Sequence, residues 1–335
     1  MLSTFLLSAG GTWLLLRSAL APALLDVPGP RSNHAKPVPR MGGLALLSAV
    51  AAVWMAAELA GWPTGLLESH SFWVVIAAGA LAGLSLADDV RSLPAGWRLC
   101  VQAVLVALAT SMLPADELAF AGALPLLADR AAIVVLWLGF LNAYNFMDGI
   151  DGITGVTTLG IAAGMLLMLP AGEHDAVALP AILAGAALGF LWFNWHPARI
   201  FLGDVGSVPL GFLVGALLVS LAVHGDAVAA VILPAYYLVD TGLTLVERSR
   251  QGKAIWEAHS DHAYQRAVRR GLPHDRVALA VGAISAALVV LAVMSRNYPL
   301  PSLAAAYALA ALFFWTLRSG VLDRLAGAGS AAERR

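Results

Sequence analysis

The stretch Asn142-Ala-Tyr-Asn-Phe-Met-Asp-Gly-Ile-Asp-Gly-Ile-Thr-Gly155 decides how the chain is read. It follows the uncharged run Ala131–Phe140 and leads into a second apolar run, Val156–Leu169. Asp148 and Asp151 therefore sit at the end of a membrane-type helix, each followed by glycine. Glycine lets backbone approach a bulky anion and reach positive φ. An acid in or beside hydrocarbon is costly, so its default reading is functional. The competing reading is that Asp-Gly pairs are ordinary turn residues. Four other polar islands weigh against it.

Working outward, the 335 residues are 60% apolar and 12% charged. The mean hydropathy is +0.79. A water-soluble domain is about half apolar, so this chain belongs to the membrane class. Its single cysteine, Cys100, excludes a disulfide framework and a cysteine zinc site. The first basic residue is Arg17, so none precedes the first apolar run, which points to a retained helix rather than a cleaved signal. Nothing resembles a nucleic-acid-binding fold. The expectation is one polytopic domain over residues 1–320 with a short cytoplasmic tail, 321–335.

A spanning helix needs about 20 mostly apolar residues. Windows of that size give eleven candidates: Leu2–Leu20, Gly43–Ala60, Phe72–Ala87, Leu99–Leu113, Ala131–Tyr144, Ile153–Leu169, Val177–Phe193, Val208–Val223, Ala227–Val246, Val277–Met294 and Leu300–Leu317. Some are short or interrupted by glycine, which leaves ten as the alternative count. Ala119–Leu127 is too short to span and is expected at a membrane surface. Seventeen of the twenty Lys and Arg fall in the odd-numbered loops or the C-terminal tail, against Arg130 and Arg296 in the even-numbered loops. By the positive-inside rule the N-terminus is outside and the C-terminus cytoplasmic.

The polar islands all fall on the cytoplasmic side of that arrangement. The first loop, Asp26 to Gly43, carries Arg31, His34, Lys36 and Arg40 among prolines and glycines, a stiff segment that attracts anions. Asp88-Asp89 closes the third apolar run, and adjacent like charges at a helix end are costly unless they share a cation. Gly203-Asp204-Val-Gly-Ser207 opens the eighth run, where backbone amides at a glycine turn can face phosphate. His259-Ser-Asp-His262-Ala-Tyr-Gln-Arg266 lies in the longest cytoplasmic loop, and two histidines three apart share one helix face. For each island the bland alternative is a solvated loop or helix cap. Together, however, five carboxylates (Asp88, Asp89, Asp148, Asp151, Asp204) converge on one face with His and Arg. A divalent cation and a polyphosphate would satisfy them, and an oxygen-rich set suits Mg²⁺, with Mn²⁺ as the alternative.

Five blocks carry a resemblance: Pro39-Arg-Met-Gly-Gly43, Asp88-Asp89, Asn142–Gly152, Phe201-Leu-Gly-Asp-Val-Gly-Ser207 and His259-Ser-Asp-His262. In this order they resemble the polyprenyl-phosphate N-acetylhexosamine-1-phosphate transferases, a family that includes the phospho-MurNAc-pentapeptide translocase. The resemblance covers about residues 26 to 270 and implies an all-α bundle of ten or eleven membrane helices. It also implies a reaction. Undecaprenyl phosphate attacks the β-phosphorus of a UDP-linked N-acetylated sugar, UMP leaves, and the sugar 1-phosphate stays on the lipid. Carried over, Asp204 looks like the principal Mg²⁺ ligand, with Asp89 and Asp148 as further ligands. Asp88 and Asp89 look like the pair near the attacking phosphate. Asn145, Asp148 and Asp151 would organise metal or uridine diphosphate, and His259 and His262 would hold the pyrophosphate or leaving UMP. Lys36, Arg40, Asn142, Gly203, Ser207, Asp240 and Arg266 complete the expected substrate contacts. Membrane lipid surrounds the protein, which the resemblance puts in the bacterial inner membrane, and a homodimer is compatible with it.

A phosphate monoester has its second pKa near about 6 and is largely dianionic at pH 7, so the nucleophile needs little deprotonation. Direct attack is the simpler route, with an Asp base or a covalent Asp left open. The peptidoglycan enzyme carries a lysine three residues after its second acid and adjacent histidines. Here those places hold Ser92 and spaced histidines, which resembles the branch initiating O-antigen or other surface polysaccharides. The sugar expected is GlcNAc, QuiNAc or FucNAc, with the muramyl-peptide transferase as the alternative. A secondary transporter, the rival from another class, needs ionisable groups near the bilayer midplane and repeated halves. The acids here sit at helix ends on one side.

Overall fold

Hydrocarbon offers backbone N–H and C=O groups no partners, so apolar stretches of this length must satisfy them internally as helices. The computed structural model describes residues 1–18, 24–29, 33–34, 36–60, 70–168, 174–254 and 259–321. It is an all-α bundle. The order is α1 (Leu2–Arg17), a two-stranded ribbon of β1 (Leu25–Asp26) and β2 (Val38–Pro39), α2 (Gly42–Leu59), α3 (His70–Arg91) and α4 (Ala95–Ser111). Then come α5 (Leu126–Phe146), α6 (Ile153–Met168), α7 (His174–Asn194) and α8 (Asp204–Leu221). A π-turn, Ala222–Asp226, leads to α9 (Ala227–Ile232), α10 (Ala235–Arg250), α11 (Ala263–Arg269), α12 (His274–Met294) and α13 (Pro299–Ser319).

Each expected apolar stretch carries a helix. Six helices are long and apolar enough to cross a membrane: α2, α3, α5, α8 with its continuation to Ile232, α12 and α13. Shorter apolar helices are α4, α6 and the Ala178–Asn194 part of α7. The expected ninth run, Ala227–Val246, is broken between α9 and α10 at Leu233–Pro234, since proline has no N–H to continue the ladder. The short helix α11 was not expected. Of Ala119–Leu127, expected at a membrane surface, residues 119–124 form turns and bends, and α5 begins at Leu126. Arg31 and residues 322–335 of the expected tail lie outside the described residues.

The centre of the bundle is α8. Of its apolar window 83% is buried, against 28–44% in the other five long helices, so the rest pack around it. Trp137 of α5 stacks on Phe212 at 4.7 Å and donates its indole N–H to the Phe212 carbonyl at 3.0 Å. The buried stripe Thr4, Ser8 and Thr12 faces α1's neighbours, with the Ser8 hydroxyl donating to Ala186 O of α7 at 2.8 Å. Small residues let such helices approach closely.

The ribbon then locks two loops together. Phe201 N–H donates to Pro39 O at 2.8 Å, while Gly42 and Gly43 N–H donate to Phe201 O and Leu202 O, both at 2.9 Å. A Cβ on Gly203, whose φ is +72°, would collide with the Arg40 carbonyl. That contact is why the Leu-Gly-Asp block needs glycine there; in the Arg-Met-Gly-Gly block a Cβ on Gly42 would meet the Phe190 ring and one on Gly43 the Gly206 backbone.

Candidate active site

Loops from five regions meet at one end of the bundle, where the short turns between helices leave their terminal acids side by side. Arg98, on the first turns of α4, donates from Nη1 to Asp88 at 2.6 Å and lies 3.7 Å from Asp204. Arg40 reaches Asp89 at 3.3 Å. Asp88 also accepts the Leu93 N–H at 2.7 Å, which fixes the turn between α3 and α4. Two guanidinium groups thus serve three carboxylates. Asp148 stands on the same cavity wall as Asp204 and accepts the Thr154 hydroxyl. Burial pushes the Asp148 carboxyl up to about 7; the Thr154 hydrogen bond opposes this, and the Asp204 charge adds to it.

Two cavities flank these acids. One is polar, about 290 Å³, with Asp148, Asp151, Asn194, Phe201 and His274 on its walls. The other, about 520 Å³, is a largely apolar groove between α3, α4, α5 and α10, lined by Leu84, Leu99, Leu138 and Leu245 and closed at one end by Asp88 and Arg98. Asn145 and Asp204 line both. Asn145 accepts the Ser207 hydroxyl, so the first turn of α8 is tied to the end of α5 at that shared wall.

Asp151 stands in a separate cluster on the polar cavity. Its Oδ2 is 2.6 Å from His196 Nδ1 and accepts the Ala198 N–H at 3.1 Å, and its Oδ1 is 3.2 Å from His274 Nδ1. Burial would raise this carboxyl, but hydrogen bonds from His274 and His196 overcome it and hold Asp151 below the usual carboxylate range. The Asp151, His196 and His274 donor atoms lie within 4.8 Å of one another, close enough for a metal. Both imidazoles are already committed, however: His196 to Asp151, and His274 Nε2 to the Asn33 carbonyl at 3.0 Å. This cluster braces four chain segments.

The remaining expected residues are spread around this centre. His259 and His262 stack at 5.0 Å just before α11. Burial, then the neighbouring His262 and Arg248, hold the His259 imidazole down to about 4. Asp240 is 0% exposed and sits behind His262. Asn142 faces the groove and donates to Gln102 at 3.1 Å. Arg266 is tied to Asp261 at 3.4 Å, and Lys36 is exposed on the first loop. Arg98, Thr154, His196 and His274 were not singled out from sequence. Arg98 carried a usable signal, a cation one helical turn beyond the Leu93-Pro94 break that follows the acid pair.

A polar cavity and an apolar groove joined at a nest of carboxylates, at one end of a bundle of apolar helices, make up the candidate site of a membrane protein. Residues 71–222 match the glycosyl transferase family 4 model. The chain is 30% identical over 287 residues to the decaprenyl-phosphate N-acetylglucosaminephosphotransferase of Mycobacterium tuberculosis, covering 76% of this chain and 71% of that protein. It is equally similar, 30% over 287 residues with the same coverage, to the protein of that name in Mycolicibacterium smegmatis. A Bacillus subtilis protein named probable undecaprenyl-phosphate N-acetylglucosaminyl 1-phosphate transferase is 26% identical over 300 residues, 85% of this chain and 81% of that one. The chain belongs to the polyprenyl-phosphate N-acetylhexosamine-1-phosphate transferase family, as the five sequence blocks led one to expect.

Proposed function

We propose that this protein transfers an N-acetylhexosamine 1-phosphate from a UDP-sugar to undecaprenyl phosphate, releasing UMP and starting O-antigen or another cell-envelope polysaccharide. The observation that carries this reading is the junction: a polar cavity and an apolar groove share Asn145 and Asp204. The nucleotide sugar fits the polar side and the isoprenoid the apolar side, so the two phosphates meet at the shared wall. The relatives' names favour N-acetylglucosamine as the sugar. The Lys and Arg bias favours a cytoplasmic site in the inner membrane, with the N-terminus outside.

The residues suit a divalent cation. Asp88, Asp89, Asp148 and Asp204 offer hard oxygen donors, and the Arg40 and Arg98 Nε atoms are buried without a partner among the described residues. Spare acceptors and spare donors in one place fit a cation together with the anion it accompanies. Asp204, Asp89 and Asp148 are the ligands proposed for Mg²⁺, or Mn²⁺ in its place. When bound, the ion supplies neutralising charge for the diphosphate.

The chain's own residues do the rest. Arg98, at the groove's end, holds the acceptor phosphate, and Arg40 the donor diphosphate. An oxygen of the acceptor phosphate attacks the sugar-bearing phosphorus directly, and the bond to the UMP oxygen breaks. The dianionic acceptor needs no base, so rate comes from alignment and charge balance between two anions. Ser207 fixes Asn145, and Thr154 fixes Asp148, so that neither turns with the substrate. The test is purified protein incubated with undecaprenyl phosphate, Mg²⁺ and a panel of UDP-sugars, with the lipid product identified by mass. A UDP-GlcNAc-derived undecaprenyl diphosphate sugar is expected; no product from any UDP-sugar would overturn the reading.

A further inference from the structure

The groove is apolar along most of its wall, yet it carries a tier of uncharged polar side chains one helical turn inside the acids. Ser85 lies one turn in from Asp88 on α3, Gln102 one turn in from Arg98 on α4, and Asn142 one turn in from Asn145 on α5. Thr241 of α10 borders the same space. Ser85, Gln102 and Thr241 are only 5%, 7% and 6% exposed. Polar groups at such a depth are costly unless paired. The Thr241 hydroxyl is nonetheless buried with no hydrogen-bond partner among the described residues.

Gln102 and Asn142 invite reading as a clasp between α4 and α5, since side-chain amides join membrane helices in this way. A clasp alone would exchange two hydrogen bonds, each amide donating once. This pair exchanges one. Asn142 Nδ2 donates to Gln102 Oε1 at 3.1 Å and to the Leu138 carbonyl at 2.9 Å. A backbone carbonyl can only accept, so it fixes which end of the Asn142 amide is nitrogen. That nitrogen in turn fixes the oxygen of Gln102. Gln102 Nε2 is thereby turned away from Asn142 and makes no hydrogen bond to another described residue. With the side chain otherwise buried, the groove is the space open to it.

A free N–H donor suits an anion entering an apolar groove. Arg98, on the same face of α4, is already shared between Asp88 and Asp204. A further cation would be drawn to those acids, whereas an uncharged amide keeps its N–H groups for the ligand. We propose that Gln102 Nε2 donates to a non-attacking oxygen of the lipid phosphate, with Asn142 as the positioning residue that turns this nitrogen into the groove. The lipid phosphate then lies between Arg98 and Gln102, with its attacking oxygen toward Asn145 and Asp204. The assignment rests on the transferase reading above and adds a residue that touches only one of the two substrates. Gln102 lines the groove and not the polar cavity.

The test uses full-length protein in detergent with Mg²⁺. Gln102→Leu removes a hydrogen bond to a charged group, so KM for undecaprenyl phosphate should rise about 10-fold while that for the UDP-sugar stays within about twofold. Equilibrium binding of undecaprenyl phosphate without UDP-sugar should weaken by the same factor. Undecaprenol, which has the chain and no phosphate, should bind wild type and variant alike. Gln102→Glu keeps an oxygen for Asn142 and carries a donor only while its carboxyl is protonated. Its lipid KM should therefore stay near wild type at low pH and climb relative to wild type as pH rises, which a clasp alone does not give. An unchanged lipid KM in Gln102→Leu, or a rise matched by the UDP-sugar or by undecaprenol binding, overturns the proposal. So does a Gln102→Glu variant equal to wild type at every pH up to about 9. Where melting shows one variant unfolded, the other decides. Wild-type protein that binds undecaprenyl phosphate but turns over no UDP-sugar overturns the transferase reading instead, and the binding measurements still judge Gln102.

Discussion

The two ends of the bundle both carry charge, and they treat it differently. At the end away from the cavities, Arg296 pairs with Asp226 at 2.6 Å and also donates to the Met168 carbonyl. Asp129 accepts the Phe120 N–H at 3.0 Å, and Arg130 donates to Glu117 O at 2.7 Å. These four charges are answered locally, by one another or by backbone groups. At the cavity end, Asp88, Asp89 and Asp204 share Arg40 and Arg98, while Asp148 has only a hydroxyl. Locally balanced charge caps a helix; charge left under-compensated waits for a ligand. The comparison separates structural from functional ions without any appeal to kinship.

The sharpest way to break it is Asp204→Asn. Mg²⁺-dependent UMP release should fall about 1000-fold or more with the melting temperature preserved, since a charge-organising group at the reacting centre is lost. Normal turnover would remove Asp204 from the metal role. Arg98→Ala comes next. Losing a charge-assisted hydrogen bond should cut kcat/KM for the polyprenyl phosphate by about 10- to 100-fold, with KM for the UDP-sugar nearly unchanged. A larger effect on the sugar than on the lipid would reverse the assignment of groove and cavity.

Asp148 sharpens the comparison through pH. Its carboxyl goes from 3.8 in the unfolded chain to about 7 in the fold. The folded chain holds the extra proton between those values. Its contribution to metal-free stability is therefore whole below the unfolded value and is lost as pH rises through about 7. Thermal melts between about pH 5 and pH 8 should show that decline, flattened in Asp148→Asn and reduced by saturating Mg²⁺. A slope that Mg²⁺ leaves untouched would detach Asp148 from the cation. The smallest effect belongs to the opposite end: Asp226→Asn should cost about 1 kcal/mol or less, because its partner is partly exposed, and should leave kcat alone. A large loss of activity there would show that the two ends are not independent.

Much of this was legible in the chain. Hydropathy alone placed the long apolar helices, though not α11 or the break between α9 and α10, and Asp88, Asp89, Asp148 and Asp204 were visible as acids at the ends of apolar runs. Where it failed, the cause was distance. Arg98 read as one more positive-inside cation, because nothing local says that α4 turns it onto Asp88 and Asp204. That Asp240 would lie against His262 was equally invisible, because only the packing of α10 against the loop before α11 brings the two together. His196 and His274 were lone histidines until folding brought them to one carboxylate.

The sequence by itself determined that this is a membrane bundle with its acids gathered at helix ends, because hydrophobicity and charge are local properties and hydrocarbon tolerates only helices. Tertiary structure alone decided which cation answers which acid and which acid meets a histidine. Those pairings depend on helix rotation and packing, and residues from Asn33 to His274 meet only once α8 has drawn its neighbours around it.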